Sequence, residues 1–177
     1  SADSKVVWHR AQSFPLSVLT SEYDTTALGC DRWVGMLGVL SELGREQSVL
    51  LVDAGTAVNI ELLDGNHHCG GWIMPGYRAW FDSLLSNTQM RMDRPEQPML
   101  QYGKRTADAV ANAWLESVVG IVERHRNRIP NLVIVVTGGD ASRLASALEN
   151  VMWIPDLMFK GLGFWFEQVE SDTACGG

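Results

Sequence analysis

The stretch from Val49 to Gly76, VLLVDAGTAVNIELLDGNHHCGGWIMPG, constrains the chain more than any other part of it. It opens on Val49-Leu50-Leu51-Val52, a short apolar run suited to a strand buried on both faces. The run stops at Asp53-Ala54-Gly55-Thr56-Ala57, where a carboxylate, a glycine and a hydroxyl share one turn before a second strand, Val58 to Leu63. Gly55 permits positive φ and lets backbone N–H groups approach an anion, Thr56 adds a hydroxyl donor, and Asp53 can hold a cation beside phosphates. Asp64-Gly65 predicts a tight hairpin turn, after which a third strand runs into Gly70-Gly71-Trp72-Ile73-Met74-Pro75-Gly76. By itself the DxGT turn is equally a β-turn with a satisfied Asp, and the residues alone leave both readings open.

On the N-terminal side, short strands are expected at Lys5–Trp8 and Leu16–Leu19, on either side of Pro15. A polar loop from Tyr23 leads to Gly29-Cys30-Asp31-Arg32. Trp33, Val34, Met36, Leu37, Leu40 and Leu43 then recur at helical spacing until Gly44. Spacing favours Asp31 as the helix N-cap and Arg32 as a solvated charge. The functional alternative is a pair: a carboxylate that takes a proton beside a guanidinium that clamps a carboxylate.

On the C-terminal side, Tyr77–Leu85 reads as a helix, and residues 87–101, with Pro95 and Pro98, as a polar loop. Gly103-Lys104-Arg105-Thr106 caps a long amphipathic helix whose stripe includes Val110, Trp114, Val118 and Val122. Leu115 and Val119 lie beside that stripe and carry the expectation of a homodimer, since one lobe has no need to bury them. Leu132–Val136 is a buried strand, Thr137-Gly138-Gly139-Asp140 its glycine turn, and Ala141–Leu148 a helix. That order brings backbone close to a nucleotide, and it also occurs without any ligand. Val151–Ile154 is a last strand, Leu157–Val169 a closing helix, and residues 171–177 a mobile tail.

The net charge is −7 with scattered basic residues, so the footprint of a nucleic-acid binder is missing. No apolar run reaches the ~20 residues of a membrane span. Three cysteines without CxxC spacing exclude a disulfide framework and read as reduced thiols of a cytoplasmic protein. In His67-His68-Cys69, strand alternation sends neighbours to opposite faces, which argues against a shared metal ion.

Taken together, Tyr23 with LGCDRW (28–33), DAGTA (53–57), GGWIMPG (70–76), Gly103 to Thr106, TGGDA (137–141) and Pro155-Asp156-Leu157 to Gly161-Leu162 closely resemble the type III pantothenate kinases, which include the Bvg accessory factors. Another actin-like sugar kinase fits DxGT but not GxDR with GGxIxPG. The resemblance implies an α/β fold of the actin-like ATPase (sugar-kinase) superfamily, built of ribonuclease-H-like lobes with a mixed sheet flanked by helices. Residues 1–44 would be a remnant of the first lobe and residues 45–177 the second. The implied reaction moves the ATP γ-phosphate to the primary hydroxyl of pantothenate, at the start of coenzyme A synthesis, with Mg²⁺ and a monovalent cation, K⁺ or NH₄⁺. Asp31 would be the base. Arg32, Tyr23, Gly29, Cys30 and Thr106 would contact pantothenate, although the Tyr23–Gly29 interval is one residue short of the family's. Asp53 would hold the monovalent cation, while Gly55 and Thr56 with Gly138 and Gly139 would contact ATP.

Departures also mark the match. Family members begin with a strand and a DxGNT phosphate turn that these residues do not contain, and Asn59 and Glu61 stand where Thr and Asp are expected. The expectations are therefore a fragment, a lobe supplied by another chain, or a catalytically impaired or regulatory protein on the same scaffold. These residues alone are then expected to turn pantothenate over poorly, since phosphoryl transfer depends on charge neutralisation at the phosphates.

Overall fold

The computed structural model describes residues 18–24 and 26–175. Its centre is β2 (Ser48–Ala54), whose side chains are apolar on both faces. Val49 and Leu51 enter one core, and Leu50, Val52 and Ala54 enter another. Such a strand is stable only between two layers. β3 (Ala57–Asp64) and β4 (His67–Pro75) follow as an antiparallel meander, through a turn in which Gly65 has φ 61°. On the other side β5 (Val133–Thr137) and then β6 (Val151–Trp153) run parallel to β2 and to each other. A two-residue strand, β1 (Thr20–Ser21), joins the outer edge parallel to β4, giving the order β1-β4-β3-β2-β5-β6.

Helices cover both faces. α1 (Cys30–Leu43) and α5 (Leu157–Cys175) pack with Val49, Leu51, Leu63 and Val135 on one side. α2 (Tyr77–Asn87), α3 (Thr106–Arg126) and α4 (Ala141–Ala145) pack with Leu50, Val52, Ile60, Ile134 and Val136 on the other. This is the mixed sheet flanked by helices that the resemblance leads one to expect. The tightest approach is between α1 and α5. A Cβ on Gly38 would run into the carbonyl oxygen of Leu157, and one on Gly161 into that of Val34. Among the described residues no helix is long and apolar enough to cross a membrane.

Several expectations are corrected. The strand expected at Lys5–Trp8 lies outside the described residues, as does the first half of Leu16–Leu19; Val18 and Leu19 are not strand, and pairing starts at Thr20. α4 stops at Ala145 rather than Leu148, because the chain must return to the sheet by Val151 and does so through Asn150 at φ 50°. α5 continues through residues 171–175, where a mobile tail is expected, since no glycine or proline interrupts it after Gly163 until Gly176. Leu115 is 1% exposed and belongs to the core of this chain, so it supplies no dimer surface.

Candidate active site

Three glycine-containing turns meet at one end of the sheet. The Asp140 N–H donates to the Ala54 carbonyl at 2.8 Å, and the Gly76 N–H to that of Thr56 at 3.0 Å, tying the turns after β5 and β4 to the turn after β2. Gly138 has φ 94°, and a Cβ there would stand on the Ala54 carbonyl and the Asp53 carboxylate. The position thus requires glycine twice, for conformation and for space.

Strand alternation puts Asp53 on the same face as Val49 and Leu51, the face that α1 covers. Asp31 stands exposed at the start of α1. It is not the N-cap: that position is Gly29, with no side-chain capping bond, and Asp31 is the second helical residue. The favoured sequence reading of a capping Asp is thereby overturned. In the first turn the carboxylate still gains from the positive end of the helix dipole. A side chain on Gly29 would displace the Asp31 carboxylate. Burial pushes the Asp53 carboxyl above its ordinary value, and the charge of Asp31 pushes it further.

Arg32 turns the opposite way and is 7% exposed, not the solvated charge that spacing favours. Its Nε donates to Glu61 Oε1 at 2.5 Å and its Nη2 to Glu61 Oε2 at 2.9 Å. The guanidinium carbon lies 4.7 Å from the centre of the Tyr23 ring. Tyr23, Gly29, Cys30, Asp31 and Arg32 thus lie together about the start of α1. Thr106 is the exposed first residue of α3, on the helix layer across the sheet from α1, and the described contacts do not bring it to Asp31.

Beside the DxGT turn opens a cavity of about 630 Å³ lined by Gly55, Thr56, Gly139, Asp140, Tyr77 and Arg143, with Arg94 at its rim. Arg143 pairs with Asp140 at 2.9 Å, and Arg143 and Arg94 lie 5.1 Å and 5.9 Å from the centre of the Tyr77 ring. Arg78 and Asp82 also line it, Asp82 pairing with Arg78 at 3.4 Å and Arg94 at 3.6 Å. Three guanidinium groups against two carboxylates leave an excess of positive charge that, with a hydroxyl and glycine backbone, suits an anion with a planar group. Sequence reasoning missed Tyr77, Arg94 and Arg143. Arg143, one helical turn after Asp140, was discernible there; Arg94 sits in the loop between α2 and α3, where spacing carries no signal. Among the described residues no group of three or more His, Cys, Asp or Glu could hold a metal ion.

The family model described as type III pantothenate kinase matches residues 1–128. A type III pantothenate kinase of Colwellia psychrerythraea is 35% identical over 163 residues, covering 82% of this chain and 65% of the relative. One from Psychrobacter arcticus is 34% identical over 161 residues, covering 90% of this chain and 64% of the relative. The chain thus spans less than two thirds of the length of these relatives. Among solved structures, a conserved Baf family protein from Campylobacter jejuni has a TM-score of 0.68 at 19% identity, over 88% of this chain and 71% of that one. An Alp12 filament has a TM-score of 0.50 at 11% identity, over 79% and 53%.

Proposed function

The chain belongs to the type III pantothenate kinase family, and from that premise we propose that it carries the acceptor site and part of the nucleotide site for phosphorylation of pantothenate by ATP. The observation that carries this reading is geometric: Asp31 stands exposed at the start of α1, on the helix layer that covers the face of Asp53, and the Asp53 carboxylate lies against Gly138, next to the cavity-lining Gly139. Asp31 takes the proton of the pantothenate primary hydroxyl as the hydroxyl attacks the γ-phosphate. Tyr23 and Arg32 orient the acceptor, with Gly29 and Cys30 giving backbone contacts, and Thr106 is the least supported of the set. Loose phosphoryl transfer demands mainly position and charge neutralisation, of which such a base and two backbone turns supply a part.

The donor set fits a monovalent cation at Asp53: a half-buried carboxylate beside backbone carbonyls, whose charge is poorly solvated without one. K⁺ or NH₄⁺ there would offset the repulsion from Asp31. Mg²⁺ would enter with the phosphates of ATP, whose polyphosphate the cavity and its arginines suit. A cytoplasmic location and a homodimer belong to the same proposal. Leu115 does not support the dimer, since it is buried within this chain. A monomer in sedimentation at micromolar concentration would remove the dimer.

The test is formation of phosphopantothenate from ATP, followed by mass with Mg²⁺ and K⁺ present. Asp31→Asn should lower turnover by about 10²–10⁴, the usual size of a lost general base, and leave ATP affinity in place. Equal turnover in the variant would remove Asp31 from catalysis. Pantothenate binding with no transfer under any condition would favour a regulatory protein on this scaffold.

A further inference from the structure

Glu61 and His68 are 1% and 0% exposed, and phosphoryl transfer makes no use of them. A carboxylate so deep is costly unless it is paired and hydrogen-bonded throughout. Both oxygens of Glu61 are engaged: Oε1 accepts from Arg32 Nε at 2.5 Å, and Oε2 from Arg32 Nη2 at 2.9 Å and from His68 Nε2 at 2.9 Å. On the far side of the imidazole, Nδ1 is 2.8 Å from Ser21 Oγ. That hydroxyl already accepts the Tyr23 backbone N–H at 3.0 Å. Glu61 as a carboxylate only accepts, so Nε2 carries the hydrogen given to it, while Nδ1 and the Ser21 hydroxyl share the hydrogen bond on the other side of the ring. The Tyr23 ring, 4.7 Å from the Arg32 guanidinium carbon and 5.9 Å from the centre of the His68 ring, completes the circuit.

The circuit joins β1, β4, β3, α1 and the Tyr23 loop. Parallel pairing of Thr20 and Ser21 with His67 and His68 holds it in register, and Thr20 Oγ1 lies 2.9 Å from His67 Nδ1. Burial would raise the Glu61 carboxyl, but the hydrogen bonds from His68 and Arg32 outweigh burial and hold it below the ordinary value. Arg32 is held above its own ordinary value, chiefly by its bond to Glu61.

We propose that Ser21, His68 and Glu61 are positioning residues, which fix Arg32 and, through it, the Tyr23 ring in the conformation that meets the acceptor substrate. The proposal rests on the reading that Arg32 and Tyr23 contact pantothenate. Glu61 takes the Nε hydrogen and one Nη2 hydrogen and balances the charge of Arg32, leaving the Nη1 hydrogens and the second Nη2 hydrogen on the guanidinium's other edge.

The test has two arms on the whole chain. In the first, without ligand, the Arg32 Nε–H signal is followed by ¹⁵N–¹H NMR. It should exchange slowly, and should move or broaden in Ser21→Ala and in Glu61→Gln; an unchanged signal in both overturns the circuit. In the second, pantothenate is titrated by calorimetry. Glu61→Gln should weaken binding about tenfold, the size of one charged hydrogen bond, and should add nothing once Arg32 is Met. Independent, multiplying effects would show that Glu61 does not act through Arg32. Should Glu61→Gln fail to fold, Ser21→Ala, which alters only the outer end of the circuit, is titrated in its place. It should weaken binding in the Arg32 protein only, and no loss there overturns the proposal. If the unmodified chain binds no pantothenate, the functional reading fails, while the first arm still decides whether the circuit exists.

Discussion

Asp53 is the residue at which folding and the proposed chemistry pull in opposite directions. Its carboxyl is raised by burial and then by Asp31. The folded chain therefore binds more protons than the unfolded chain between the ordinary and the raised value, and stability falls as pH climbs through that window. Above it the ionised Asp53 is a standing cost. Asp53→Asn should accordingly raise Tm at pH 7 in a buffer without K⁺ or NH₄⁺, and remove the part of the pH-dependent loss that Asp53 causes. Asp31→Asn should give a smaller gain, because its charge is only the second cause. Thermal melts from pH 4 to 8 measure this, and a lower Tm for Asp53→Asn at pH 7 would contradict it. Asp53 was legible in the sequence because its turn is a local pattern. The partnership of Arg32 with Glu61 was not, because 29 residues separate the pair and only the packing of α1 on β3 joins them.

At the scale of elements, apolar periodicity located the strands of the meander, α1, α2 and α3 within a residue or two, because apolar residues recur along them and turn residues bound them. What periodicity could not supply was the distance between faces. The α1–α5 contact depends on Gly38 and Gly161, which in a helix pattern count only as weak formers. Gly38→Ala makes the competition measurable. Better helix propensity would contribute about 1 kcal/mol of stability. The added methyl, however, meets the Leu157 carbonyl, and overpacking of this kind costs about 1–3 kcal/mol. A lower urea midpoint is expected for Gly38→Ala, and a higher one would mean that α5 can move away freely. The same lack of distance information explains Leu115, placed beside the helix stripe by spacing but covered by the sheet.

Across the whole molecule, the turns after β2, β4 and β5 all leave the sheet at one end, because β5 runs parallel to β2 and the meander returns β4 to the DxGT turn. The proposed acceptor end at α1 lies on one face of the sheet, and the cavity at Thr56 and Gly139 opens beside the turn that follows Asp53. Motifs in the sequence name both sides, but only the topology makes them neighbours. The central claim is that pantothenate and ATP occupy these two places together. Its most direct test is ¹⁵N–¹H shift mapping of the chain titrated first with pantothenate and then with ATP and Mg²⁺. Pantothenate shifts are expected at Tyr23, Gly29, Cys30 and Arg32, then ATP shifts at Gly55, Thr56, Gly138 and Gly139, with the first set retained. No response to pantothenate at the α1 end, or displacement of pantothenate by ATP, would contradict it.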